Sequence, residues 1–233
     1  MRHSTTDPIF ENRFDAGRKL AERLFDYINK QAVVLGIPNG GMAVALAVAL
    51  PLKADLDLVI SRKIPLPLSP EGGFGSITDD GTMILNEDLV KKTGLTPQQI
   101  NYQVSQVRAD IRSRSLLYRK DKRPLVVTGR TVILVDDGLA SGYTMRAAIE
   151  SLRHRKPEKI IAAVPVGPER VVEELRKVAD RVVTCAVGTE DVFYVADYYK
   201  YWHDVSDEEV LNYLKEWRMR RYESSIDITE RKP

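Results

Sequence analysis

VILVDDGLASGYT, Val132 to Thr144, runs an apolar strand directly into two carboxylates and then into a loop of small residues. Val132 to Val135 is a short β-branched and leucine run bounded by polar residues, the pattern of a strand buried on both faces in a parallel sheet. Asp136 and Asp137 fall at its carboxyl end, where open α/β sheets bind ligands. Gly138, Ala140, Ser141 and Gly142 carry little or no side chain, so several backbone N–H groups can converge on one anion, with Ser141 and Thr144 adding hydroxyl donors. A helical pattern from Thr144 to Arg155 would turn its positive end toward the same anion. Two carboxylates beside that cradle are costly unless something uses them, and the vicinal hydroxyls of a ribose, or a hydrated Mg²⁺, would do so. A phosphate in the loop with a sugar diol on the aspartates is the economical reading; a strand, an Asp-Gly turn and a capped helix is the plain alternative.

The rest of the chain repeats this grammar. Ala32 to Ile37 is a second apolar strand, ending in the turn Gly36-Ile-Pro-Asn-Gly-Gly41 and a small-residue helix from about Gly41 to Leu50. Gln31 to Leu52 is 22 residues without a charge, formally long enough to span a bilayer. Pro38, Asn39, Gly40 and Gly41 break it, so a buried strand-turn-helix unit explains it better than a spanning segment. Asp55 to Ser61 ends as a strand followed by Arg62 and Lys63, and Gly81 to Asn86 is a further strand. Thr96-Pro-Gln-Gln99 is a capping box opening a helix to about Arg119, on which Arg108, Arg112, Arg114 and Arg119 read as a solvated face. Strand 159–166, helix 168–179 and strand 181–187 follow the signature. Alternating strands and helices with short connections mean an α/β fold, a doubly wound parallel sheet flanked by helices.

Composition bounds the function. Hydrophobic residues make up 43% and charged residues 29% of the 233, as in ordinary globular domains. Thirty-five basic against 33 acidic residues, a net charge of +2, give no field that argues for nucleic acid or an anionic membrane. The single cysteine, Cys185, sits in an apolar run and reads as a small buried hydrophobe. None of His3, His154 and His203 sits where acid-base chemistry would need it. The opening stretch, Met1 to Arg13, is polar and mixed in charge, so the expected compartment is the cytoplasm.

Val132 to Thr144 resembles the phosphoribosyl diphosphate (PRPP) signature of the type I phosphoribosyltransferases, in which four apolar residues precede an acidic pair and a loop ending in Ser/Thr-Gly-x-Thr. The resemblance implies that Asp136 and Asp137 contact the ribose hydroxyls as the catalytic pair, and that Gly138, Ala140, Ser141, Gly142, Tyr143 and Thr144 complete the PRPP site by holding the 5′-phosphate. Gly36 to Gly41 resembles the family's diphosphate loop, often built on a cis peptide, here expected in or near Pro38-Asn39. Asn39 stands where the commoner pattern has Arg or Lys. Pro38, Asn39 and Gly40, with Arg62 and Lys63 after the next strand, would bind diphosphate.

The same resemblance places a mobile lid over Ile64 to Asp80, a stretch rich in Pro and Gly. Its aromatic block Phe193 to Trp202 would put Phe193 on a purine and Asp197 near the base or the metal, with core or interface packing as the other use. It implies Mg²⁺ carried mainly through PRPP, a nitrogen base as second substrate and a homo-oligomer, a homodimer by expectation. Function follows as transfer of the phosphoribosyl group to a nitrogen base, a purine favoured as in salvage; a non-catalytic PRPP- or nucleotide-binding regulatory protein is the alternative. Residues 1–222 form one domain in this reading. Its hood comes from the amphipathic stretch Phe14 to Ile28 and from about 188–222, where Ser206 to Glu209 is a second capping box. Residues 223–233 form a flexible tail.

Overall fold

Alternate residues on the central strands meet different helices. The computed structural model describes residues 8–230 apart from 68, 121 and 191, and the side chains of these apart from 70 and 222–230. Within them β1 (Val33–Gly36), β2 (Asp55–Leu58), β6 (Thr131–Val135), β7 (Lys159–Pro168) and β8 (Arg181–Gly188) form one parallel sheet in the order β2-β1-β6-β7-β8. Val33, Leu35, Val132, Leu134, Ile160 and Ala162 pack on one face against α5 (Tyr143–His154) and α6 (Glu169–Leu175). Val34, Ile133, Val135, Ile161 and Ala163 pack on the other, against α2 (Gly41–Leu52), α4 (Pro97–Arg119) and α7 (Asp207–Glu230). Both faces are covered, which is why these strands read as continuous apolar runs.

The order of strands fixes where a ligand can sit. After β1 the chain crosses through α2 to β2 on one side; after β6 it crosses through α5 to β7 on the other. The β1/β6 pair is therefore the switch point of the sheet, and the crevice beyond its carboxyl ends is the binding position of doubly wound folds. The N–H of Ile37 donates to Val135 O at 2.8 Å, so the turn after β1 and the acidic pair after β6 leave the sheet side by side.

Between β2 and β6 the segment expected as a lid takes a different form. Ser61–Leu66 (β3) and Ser69–Thr78 (β4) are antiparallel strands, joined by Met83–Leu85 (β5) into a second sheet of order β3-β4-β5. Pro65 sits at a register shift on the outer strand, where a missing N–H breaks no interior ladder, and Ile64, Phe74 and Ile77 are fully buried anchors. The Pro and Gly content that suggests a loop is thus absorbed by a hairpin, with Pro65 on the outer strand β3 and Gly72, Gly73 and Gly75 on the middle strand β4. A short helix, α3 (Glu87–Thr93), also forms: the Asn86 side chain accepts from Leu89 N, and Gly94 closes it in the left-handed region.

The terminal helices flank α2. On α1 (Arg13–Glu22), a Cβ at Gly17 would stand 2.5 Å from Ala47 Cβ and 2.8 Å from Val44 O, so α1 crosses α2 in backbone contact. The leading ends of α1 and α7 contribute what lies over the strand ends: Ile9 and Phe10 N–H donate to Tyr198 O, and Asn39 donates to Val205 O. Most of the stretch expected as a loose tail continues α7 as helix to Glu230; residues 231–233 lie outside the described residues, as does His3.

Asp80 ties the β4 end to α5. Burial opposes its charge, but hydrogen bonds from Thr78 Oγ1, Ser151 Oγ and Thr82 N–H outweigh it and hold the carboxyl at about 2 instead of the ordinary 3.8. A depressed carboxylate stabilises the fold above the ordinary value and loses that contribution as pH falls through the folded one. Asp80→Asn is expected to be less stable than the parent at pH 7, with the gap in urea midpoint closing between about pH 4 and pH 2; an unchanged gap across that range would remove Asp80 as a tether.

Candidate active site

A cleft of about 520 Å³ opens beyond the ends of β1 and β6, lined by Ile37 and Pro38 from the first turn, Ser61, Arg62, Lys63 and Pro65 from the hairpin, Gln106, Val107 and Asp110 from α4, and Asp136 and Thr144. Of the residues singled out in the sequence, Pro38, Arg62, Lys63, Asp136 and Thr144 line it directly. Gln106, Val107 and Asp110 carry no sequence signal of a site, because only the fold brings α4 to this edge.

Two runs of backbone donors flank Asp136. The peptide Pro38-Asn39 is cis, at the position the resemblance implies. The N–H groups of Asn39, Gly40 and Gly41 at the start of α2 find no acceptor among the described residues, nor do those of Ala140, Ser141, Gly142, Tyr143 and Thr144 at the start of α5. Unpaired N–H groups at a helix start are an anion site in waiting. Glycine is required where the two loops touch: a Cβ on Gly40 would lie 1.9 Å from Asp137 Oδ2.

The carboxylates differ. Asp136 is half-buried and accepts from Asp137 N–H at 2.9 Å; burial, then the charge of Asp137, push its carboxyl well above the ordinary 3.8. Asp137 instead pairs with Arg13 Nε at 2.8 Å. Thr144 is braced by the hairpin: Ser61 Oγ donates to its carbonyl at 2.9 Å, and Ser76 Oγ lies 3.2 Å from its hydroxyl. Arg62 pairs with Asp110 at 3.2 Å, and Lys63 Nζ donates to Glu71 O at 2.6 Å.

Asn39 is tied into a network. Its amide donates to Val205 O and to Asp207 Oδ1, both at 2.9 Å, and its carbonyl accepts from Arg114 Nη1 at 3.0 Å. Arg114 also pairs with Asp110 and Asp207. Burial, with Asp207 as acceptor, pushes the Tyr118 hydroxyl up to about 12, which keeps it a donor. Arg114, and Arg119 through Asp57 at 3.3 Å, are partnered and half-buried, whereas Arg108 and Arg112 are exposed as expected. The pairing spacing of Asp110 and Arg114 is visible in the sequence; their tie to Asn39 is not.

Phe193 and Asp197 do not line the cleft. Phe193 packs on Tyr198, ring centroids 5.1 Å apart, and Asp197 N–H donates to Tyr194 O. Their segment nonetheless reaches the signature loop, since Val195 fills the space a side chain at Gly138 would need. Cys185 is partly buried, and burial pushes its thiol up to about 11, a packing cysteine. His154 and His203 are exposed, near Glu150 and Glu209.

Paired donor runs and a carboxylate thus lie together at the switch point of a doubly wound α/β sheet, where proteins of this class bind ligands. The chain belongs to the phosphoribosyltransferase family: the model described as phosphoribosyl transferase domain matches residues 6–202. It is 37% identical over 206 residues, 88% of this chain and 46% of the relative, to the Mycobacterium tuberculosis protein named "Putative phosphoribosyl transferase Rv0571c". The crystal structure of TT1426 from Thermus thermophilus superimposes with a TM-score of 0.73 at 35% identity, covering 89% of this chain and 98% of that one. A shorter stretch of 74 residues, 28% of this chain and 42% of the relative, is 38% identical to the "Bifunctional protein PyrR" of Microcystis aeruginosa. The chain spans about half the length of the mycobacterial relative. No helix among the described residues is long and apolar enough to cross a membrane.

The contact at Gly40 gives a direct test. Gly40→Ala must displace either the loop or Asp137, and is expected to lose at least about 1 kcal/mol of stability by overpacking in denaturant unfolding. A variant as stable as the parent would show that the loop does not lie on Asp137.

Proposed function

We propose that this protein is a PRPP-dependent phosphoribosyltransferase that moves the 5-phosphoribosyl group to a nitrogen base, a purine favoured, with release of diphosphate. One observation carries the reading: two neighbouring runs of unpaired N–H groups, 39–41 and 140–144, flank Asp136, and PRPP has a phosphate at one end, a diphosphate at the other and a diol between. The 140–144 loop takes the 5′-phosphate, Asp136 the ribose hydroxyls, and the N–H groups of the 39–41 turn, with Arg62 and Lys63, the diphosphate. Phe193 and Asp197 are the proposed base contacts, supported by the packing of Val195 on Gly138. A homo-oligomer, a homodimer by expectation, belongs to the same reading.

Among the described residues no group of three or more His, Cys, Asp or Glu could hold a metal alone. Mg²⁺ characteristically keeps waters and takes one or two carboxylates plus substrate phosphates, which Asp136 at the cleft suits. Bound there with PRPP, it would neutralise charge on the departing diphosphate. The protein's own part is to hold the donor and acceptor in line and to stabilise charge on the phosphates by fixed N–H groups. The attacking nitrogen forms a bond to the anomeric carbon as the bond to the diphosphate oxygen breaks, and the base loses a proton to solvent.

The regulatory alternative draws on Asn39, whose side chain is committed to Arg114, Asp207 and Val205 and so offers the diphosphate no cation. Incubation with PRPP, Mg²⁺ and a panel of purines, pyrimidines and other nitrogen nucleophiles separates the two. Base-dependent diphosphate release, slowed on the order of a hundredfold by Asp136→Asn, is the expected result. PRPP binding in calorimetry with no release for any acceptor would replace the transferase with the regulator.

A further inference from the structure

The second carboxylate of the signature points away from the cleft and into a buried contact. Asp137 Oδ2 accepts from Arg13 Nε at 2.8 Å, with side chains 17% and 6% exposed. The Arg13 guanidinium also donates from Nη1 to His203 O at 2.8 Å and lies 3.8 Å from the Trp202 ring centroid. Tyr199 Oη donates to the Asp137 carbonyl at 2.6 Å. The pair rests on the turn after β1, since a Cβ at Gly40 would lie 1.9 Å from Asp137 Oδ2 and 3.0 Å from Arg13 Nε. Four pieces of chain meet at this one ion pair: the start of α1, the end of β6, the 38–41 turn and the 199–203 segment.

We propose that Arg13 is a positioning residue and that the Arg13–Asp137 pair acts as a buckle on the 38–41 turn, so that Asp136 alone of the two carboxylates is offered to the ligand. The proposal rests on the PRPP reading and changes one part of it: the family resemblance puts both acidic residues on the ribose. An ion pair this far out of water holds together only when its geometry is good and its other donors are satisfied. Here Nε, Nη1 and the cation face each have a partner. Removing either partner leaves an uncompensated charge against Gly40, and the turn must move. Lysine is no substitute, because one ammonium cannot serve the carboxylate, the His203 carbonyl and the Trp202 face together.

A double-mutant cycle tests it, using Arg13→Gln, Asp137→Asn and the pair of changes, with Asp136→Asn alongside. Hydrogen exchange of peptides covering residues 38–43 reports on the turn, whose Met42 and Ala43 amides donate to Asn39 O and Gly40 O. Calorimetry with PRPP and Mg²⁺ reports on the site. Each single change is expected to speed exchange and to weaken PRPP about tenfold, and the double change to do no more, because the two residues act as one unit. Asp136→Asn is expected to weaken PRPP while leaving exchange at the parent rate. Losses that add in the double variant, or Asp137→Asn weakening PRPP with unchanged exchange, would overturn the buckle and return Asp137 to the ribose. Failure of the parent protein to bind PRPP would sink the proposed function instead, and the exchange cycle would still decide the buckle. Should Arg13→Gln not fold, Arg13→Lys carries the same cycle.

Discussion

The parallel pairing of β1 with β6 is the constraint on which the site depends. Gly36 faces Val135 in register, and the ladder ends in the bond from Ile37 N–H to Val135 O. Neighbouring strands lie about 4.8 Å apart, so the loops that leave them are forced into contact before they diverge to opposite faces. Side chains at the contact would keep the loops apart. Gly40 and Gly41 on one side, facing Asp136 and Asp137 on the other, are what that distance allows. Close approach of the loops also puts two helix starts, α2 and α5, beside one cleft, and thereby two sets of unpaired donors.

Donors left unpaired must be held in place by something else, because a loop free to collapse would satisfy its own N–H groups. The restraint comes from charged residues distant in sequence. Arg13 reaches Asp137 across 124 positions, and Arg114 reaches Asn39 across 75 and Asp207 across 93. Hydrogen bonds with the buried hydroxyls of Ser61 and Ser76 fix Thr144. Such preorganisation is what makes backbone dipoles effective toward a charged ligand, since they need not reorient when it arrives. The polar network around the cleft is therefore as much a part of the site as the residues lining it.

This division explains what the sequence discloses. The strands of the parallel sheet, the acidic pair, the two glycine-bearing turns and both capping boxes are local patterns set by an apolar run, a chain reversal or a helix start, and each forms within a few residues of where the pattern places it. The hairpin of 61–78 is hidden because Pro65 and the glycines read as breakers, whereas the outer strand accommodates Pro65 at a register shift and the middle strand carries the glycines. α3 carries a signal of its own in Asn86 and Gly94. Arg13 carries none and Arg114 only its spacing to Asp110: on a helix surface each is one basic residue among many, and only the fold brings Arg13 to Asp137 and Arg114 to Asn39 and Asp207.

Asn39 shows how such long-range contacts can dictate a residue type. Its side chain both donates, to Val205 O and Asp207, and accepts, from Arg114. Lysine and arginine carry donors only, so either at position 39 would lose the acceptor for Arg114 and set a second cation against it. A carboxamide satisfies both demands without charge. The departure from the commoner loop pattern thus follows from the docking of α4 and α7 on this turn. In the proposed function, positive potential for a diphosphate then comes from the N–H groups of the turn itself and from Arg62 and Lys63 across the cleft.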